Sequence, residues 1–158
     1  MDMRIGQGID FHRLAGDREL WLGGVKIASE KGAVAHSDGD VLIHAICDAI
    51  LGAAGLRDIG YHFPDNDQAY KNIDSKILLE KTVALAASKG YRIINIDCTV
   101  LLEKPKIAPY IDQMCMVLAA IAGIEEDAVS VKATTTEGLG FTGRGEGIVA
   151  LASVLLQR

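Results

Sequence analysis

AHSDGDVLIHAICDAILGAAGL, residues 35–56, sets the terms on which the rest of the chain is read. Leu42, Ile46, Ala49, Ile50 and Ala53 recur at three- and four-residue spacing, which predicts a helix with one apolar stripe. Ser37 stands where an N-cap hydroxyl is expected and Asp40 follows three residues later, a capping box with Asp in place of the usual Glu. Packing alone does not call for His36, Asp38 and Asp40 at the start of a helix. His44, one turn on, lies off the apolar stripe in line with Asp40 and Asp48.

Strands and helices alternate on either side of this helix. RIGQGIDFH (4–12) puts Ile5, Ile9 and Phe11 on one face and Gly6, Gly8, Asp10 and His12 on the other. ELWLGGVKI (19–27) reads as a hairpin turning at Gly23-Gly24. A second helix is expected from Asp74-Ser75 to Gly90 and a third from Pro109 to Gly123. Between them, YRIINIDCTVLL (91–102) reads as a strand with Ile94, Ile96, Cys98 and Val100 on one face. AVSVKAT (128–134) and GIVALASVLLQ (147–157) complete the strands. The order implies an α/β (α+β) domain spanning 1–158, a sheet with helices packed on it. The last strand is apolar on both faces: Ile148, Ala150, Ala152 and Val154 on one, Val149, Leu151 and Leu155 on the other. Helices can cover one of these, and a partner subunit is expected on the other.

Composition narrows the function. The net charge of −5 with no basic run excludes an electrostatic nucleic-acid footprint. No apolar run approaches the length of a membrane span, and the N-terminus lacks the apolar core of a secretion signal. Cys47, Cys98 and Cys115 lack paired spacing and sit in apolar segments, so free thiols in a reducing compartment are expected. Together these point to the cytosol or, after processing of a longer precursor, to an organelle.

Asp10 and His12, two apart on a strand, project from one face beside glycines that carry no side chain. Such a pair is either a solvent-facing strand end or two ligands for an ion accepting nitrogen and oxygen donors, such as zinc. His44 is either part of a solvated helix face or the third ligand, which would leave the fourth position open, as in catalytic zinc sites. Two long polar loops, 55–74 and 134–147, have the profile of functional loops on a rigid scaffold. No Ser-His-Asp or Cys-His nucleophile arrangement is evident.

GIDFH, AHSDGDVLIHA, DIGYHFPD, PKIAPYI and VKATTTEGLGFTGRGEGI occur in this order, and the chain from Arg4 to its last strand resembles the 2-C-methyl-D-erythritol 2,4-cyclodiphosphate synthase family. The resemblance implies zinc on Asp10, His12 and His44, and magnesium or manganese on Glu137. It implies catalytic roles for His36 and Thr135, and phosphate contacts from Ser37 and Thr136. Asp58, Ile59, Gly60, Phe63, Pro64, Asp65 and Asp67 would hold the methylerythritol and its 2-phosphate. Leu102, Pro105, Lys106, Ile107, Ala108, Ala133 and Thr134 would form the cytidine slot. It implies a homotrimer with sheets around a threefold axis and each site shared between neighbours. Phe141 would line an axial cavity, and Arg144 could bind an isoprenoid diphosphate there. His62 and Asn66 match no family role. The implied reaction is cyclisation of 4-diphosphocytidyl-2-C-methyl-D-erythritol 2-phosphate with release of CMP. A zinc phosphoesterase and a non-catalytic nucleotide binder are the competing readings.

Overall fold

The computed structural model describes residues 1–158. β1 (Met3–Gly16) leads to a hairpin of β2 (Leu20–Leu22) and β3 (Val25–Ile27), then to β4 (Lys31–Val34). α1 (Val41–Ala54) and a single turn, α2 (Ile59–His62), follow. After α3 (Ser75–Ser88) come β5 (Arg92–Leu101), α4 (Ile111–Ala122) and β6 (Val129–Thr134). A second single turn, α5 (Gly140–Gly143), precedes β7 (Gly147–Gln157). Five strands form one sheet in the order β4-β1-β7-β5-β6, while β2 and β3 pair separately. All neighbours in the large sheet are antiparallel except β5 and β6. The sheet carries its helices on one face, the α+β arrangement expected.

Two glycines decide how closely helix and sheet approach. A Cβ on Gly6 would lie 1.9 Å from the Ala49 carbonyl oxygen, and one on Gly8 would lie 1.9 Å from that of Ala45. The bare face of β1 is therefore occupied by the α1 backbone. The sequence suggested that these glycines clear a surface for an ion; they clear it for a helix instead.

α1 begins later than its capping box implies. Its N-cap is Asp40, whose carboxylate accepts from the Ile43 amide at 3.0 Å. The same carboxylate accepts from Gly23 at 3.0 Å and Gly24 at 2.7 Å, fastening the hairpin turn to the helix. Two carboxylate oxygens can serve three amides where a Ser hydroxyl could not, and Asp40 is completely buried. The helix is also buried well beyond the expected stripe, with Val41, Ile43, Ala45, Cys47 and Leu51 all enclosed. It lies between the sheet and α3, so little of its circumference meets water.

Smaller differences have equally local causes. A register shift between Ile93 and Asn95 turns Ile93 into the core and leaves Ile94 half-buried, whereas Ile96, Cys98 and Val100 point inward as expected. Pro109 occupies a 3-10 turn, Ala108–Tyr110, leading into α4, which Gly123 ends in the left-handed conformation. In β7 the set from Ile148 to Val154 packs under the helices. On the opposite face Val149 is buried, but Leu151 is 41% exposed beside Ile5 at 75%, Ile9 at 50% and Phe11 at 53%. Cys47 and Cys98 are buried and all three cysteines are free.

Candidate active site

The two-residue period of β1 carries Asp10 and His12 to the helix side just past Gly8, where the first turns of α1 cross the strand. His44 meets them there. The His12 Nε2, His44 Nδ1 and Asp10 Oδ2 atoms stand 3.2 Å apart on all three sides. A tetrahedral ion bound at about 2.0 Å has ligand-to-ligand edges of about 3.3 Å, so the triangle fits one face of a zinc-type polyhedron. It is the one group of three or more metal-competent side chains brought within 4.8 Å of one another. His12 and His44 both line the adjoining cleft.

The electrostatics match a cation-binding position. Burial alone would raise the Asp10 carboxyl, yet contact with His12 and His44 holds it well below the usual carboxylate range. Burial would lower the His44 imidazole, but the Asp10 carboxylate against it raises it above its ordinary value. The group thus gathers an ionised carboxylate and two imidazole nitrogens at one point, and the carboxylate favours positive charge there. Burial pushes the Cys47 and Cys98 thiols up to about 12, so neither supplies a thiolate nucleophile.

A cleft of about 530 Å³ opens beside the triangle. His36, Ser37, Ile59, Gly60, Phe63, Pro64 and Asp65 line it, all seven of them residues singled out from the sequence. Asn66, which had no expected role, lines it too. Asp58 and Asp67 act as caps: Asp58 accepts from the Tyr61 amide at 2.9 Å and Asp67 from the Ala69 amide at 2.9 Å. The His36 ring reaches the Asp67 carbonyl at 3.3 Å, joining the two walls of the cleft. His62 does not line the cleft; its ring reaches the Leu56 carbonyl oxygen at 2.7 Å.

The acidic residues at the start of α1 need correction. Asp40 is the buried cap, and Asp48 accepts from the Ile59 amide at 2.7 Å, anchoring α2 to α1. Both carboxylates are spent on backbone amides, and neither is hydrogen-bonded to an imidazole. The Asp40 carboxylate caps the helix N-terminus, so that end is not an open anion site. What bears on His44 is Ser75, the first residue of α3, whose Oγ lies 2.9 Å from Nε2. Asp38 holds Ser75 in turn, accepting from its hydroxyl and its amide. The sequence marked Asp74-Ser75 only as a helix start, and nothing local announces that the hydroxyl is buried against a histidine 31 positions away.

The remaining predicted residues do not line this cleft. Leu102 and Ile107 are buried, Pro105 half-buried, and Lys106, Ala108, Ala133 and Thr134 exposed. Thr135 Oγ1 accepts from the Glu137 amide at 3.2 Å, and Glu137 is exposed with φ 54°. Thr136 is engaged within its loop, donating to the Leu139 carbonyl at 2.6 Å and meeting Thr142 Oγ1 at 2.9 Å. Phe141 lies 6.2 Å from Phe11, ring to ring, and Arg144 pairs with Glu146 at 2.7 Å. Across the sheet, Phe11 pairs with Val149, Val149 with Leu101, and Leu101 with Thr134. Thr134 is thus level with the metal-ligand strand but three strand spacings away, roughly 14 Å. One chain does not bring the two groups into one cavity.

Fold and site define a single-domain α+β protein with a three-residue Asp-His-His metal-binding group at the mouth of a polar-walled cleft. The chain belongs to the YgbB family, whose family model matches residues 3–157. It is 61% identical to the 2-C-methyl-D-erythritol 2,4-cyclodiphosphate synthase of Bacteroides fragilis, over 100% of this chain and 99% of that protein. Among solved structures it is similar to the CDP-bound form of a synthase of the same name, at TM-score 0.90 and 36% identity, covering 98% and 100% of the two chains. It also matches the bifunctional IspDF of Campylobacter jejuni at TM-score 0.94 and 44% identity, covering 98% of this chain but 42% of that larger one.

Proposed function

We propose that this protein is a 2-C-methyl-D-erythritol 2,4-cyclodiphosphate synthase of non-mevalonate isoprenoid biosynthesis. It converts 4-diphosphocytidyl-2-C-methyl-D-erythritol 2-phosphate to the cyclic diphosphate and CMP. The observation that carries the reading is the equilateral Asp10-His12-His44 triangle opening onto the cleft, in a chain that shares the name's fold and family over its full length. Zinc on the triangle, and magnesium or manganese on the exposed Glu137 carboxylate, supply cationic stabilisation of the charge that the reacting phosphates develop.

The chain's own part is positioning. An oxygen of the 2-phosphate attacks the β-phosphorus, the bond to the CMP oxygen breaks, and the nucleophile is already an anion, so no strong base is needed. His36 and Ser37 on one wall present an imidazole N–H and a hydroxyl to the 2-phosphate. The Asp58 caps and the Ile59-Gly60 turn face the polyol, and Phe63 to Asp67 close the far wall. Thr135 donates to the diphosphate, and a preorganised donor of this kind contributes about 3–4 kcal/mol to transition-state stabilisation. Cytosine sits against Leu102, Pro105 to Ala108, Ala133 and Thr134.

Because those nucleotide elements are three strands from the triangle, a neighbouring copy supplies them. Three copies pack their exposed outer sheet faces around a threefold axis, which covers Ile5, Ile9, Phe11 and Leu151 and makes three shared sites. Phe141 and Arg144 then flank an axial cavity able to take an isoprenoid diphosphate. No helix is long and apolar enough to cross a membrane. The reading places the enzyme in the cytoplasm of a bacterium, in keeping with its relatives from Bacteroides and Geobacillus.

Incubation with the cytidyl substrate, zinc and magnesium, followed by phosphorus NMR, tests the assignment. CMP together with one ring product is the expected outcome. Two open phosphates would identify a hydrolase, and CDP binding without turnover would identify a nucleotide binder; either result rejects the cyclase.

A further inference from the structure

We propose that Asp38 and Ser75 form a positioning relay that sets the His44 tautomer and so prepares Nδ1 to ligate the metal. The proposal rests on the metal reading of the triangle and goes beyond it, since it concerns two residues outside the ligand set. It follows from accounting for protons. The Asp38 carboxylate only accepts: Oδ1 takes the Ser75 hydroxyl at 2.5 Å and the Asp40 amide at 3.1 Å, while Oδ2 takes the Ser75 amide at 2.9 Å. The single Ser75 hydroxyl proton is therefore committed to Asp38. Its oxygen, 2.9 Å from His44 Nε2, can act toward that atom only as an acceptor. In the neutral ring that ligation requires, the one proton then sits on Nε2. That leaves the Nδ1 lone pair facing His12 Nε2 and Asp10 Oδ2, each at 3.2 Å.

Without Asp38 the same hydroxyl could donate to Nε2, and the ring proton would move to Nδ1, where it blocks ligation. Ser75 is completely buried, so water does not substitute for it. Ser37 stands differently. Its Oγ is 3.2 Å from Nε2 and accepts from the Gly39 amide at 3.3 Å, but no acceptor claims its own proton. The two serines around His44 thus divide the work: Ser75 fixes the ring, and Ser37 keeps a hydroxyl proton for the cleft.

An N–H donated from a ligating His to an outer acceptor raises the ring's basicity and fixes its orientation, and losing such a partner costs about 10–100-fold in metal affinity. Zinc dissociation constants of the wild type, Ser75→Ala, Ser75→Thr, Ser37→Ala and Asp38→Asn, from chelator competition, test the relay. Urea unfolding of each metal-free protein establishes that it is folded. Ser75→Ala and Asp38→Asn are expected to bind zinc at least tenfold more weakly. Ser75→Thr, which keeps the hydroxyl, and Ser37→Ala should stay within about threefold of the wild type. In the zinc-loaded wild type the His44 Nε2–H should give an exchange-protected NMR signal that Ser75→Ala loses. Unchanged zinc affinity in a folded Ser75→Ala overturns the relay, as does equal weakening by Thr and Ala, which would point to packing. A wild type that takes up no zinc would instead sink the metal reading itself.

Discussion

Gly8→Ala tests whether the metal site depends on helix-to-sheet spacing as well as on its ligands. The new Cβ would lie 1.9 Å from the Ala45 carbonyl oxygen, 2.9 Å from the Ala45 carbonyl carbon and 2.9 Å from the Ala49 nitrogen. These are backbone atoms, so no rotamer relieves the clash. Reaching ordinary van der Waals contact, which begins at 3.4 Å, requires α1 to lift by about 1.5 Å, the difference between that distance and 1.9 Å. His44 rides on that part of α1, while Asp10 and His12 stay on β1. A triangle whose sides are 3.2 Å cannot absorb a displacement of that size and still fit one ion. Overpacking of this kind costs about 1–3 kcal/mol. The urea midpoint of the metal-free protein, at fixed protein concentration, should fall accordingly. Zinc affinity should fall by at least 100-fold, because the effective ligand number drops below three. Chelator competition and urea unfolding on the same preparation provide both readouts. A Gly8→Ala protein with unaltered zinc affinity and midpoint would refute the claim that this glycine sets the site's geometry.

His44→Ala should release zinc and lower turnover at least a thousandfold while the metal-free protein stays folded, read by metal analysis and circular dichroism. Glu137→Gln should keep zinc but require at least tenfold more magnesium for half-maximal rate, because Glu137 lies in a different element from the triangle; co-loss of zinc would contradict two separate metal sites. Leu151→Asp should break the oligomer and abolish activity together, seen by light scattering alongside turnover, with a fully active monomer as the contrary result. Ala152→Asp, by contrast, should unfold the chain, because Ala152 lies on the opposite face, only 3% exposed beneath the helices. Asp40→Ala should lower stability by about 2–4 kcal/mol, since it removes a helix cap and leaves the Gly23 and Gly24 amides without their acceptor; a midpoint near wild type would contradict that accounting.

Where a property repeats along the chain, the sequence alone determined it. The two-residue alternation of β1 puts Asp10 and His12 on one face whatever the rest of the fold does. The three- and four-residue spacing of α1 leaves His44 off its packed stripe in the same way. Turn and cap residues such as Gly23-Gly24, Gly90 and Gly123 marked their boundaries because left-handed backbone is cheap only for glycine. The resemblance carried by longer motifs added the identities of the cleft residues, and the structure gathers seven of them around one opening.

Tertiary structure alone decided what each polar residue near His44 does. Asp38, Asp40 and Asp48 look alike in the sequence, yet one grips Ser75, one caps a helix and binds a hairpin, and one anchors α2. The deciding contacts join residues 11, 16, 17 and 37 positions apart, and hydrogen bonds over such separations leave no periodic trace in the chain. The glycines of β1 were misread for the same reason: a bare strand face fits an ion or a helix equally well until the helix is placed. Alternation in β7 yields two apolar sets but cannot say which faces the helices, because both sets are apolar. Strand order likewise separates the nucleotide elements from the metal ligands by three strands, a distance set by how the sheet is assembled and not by any residue within it.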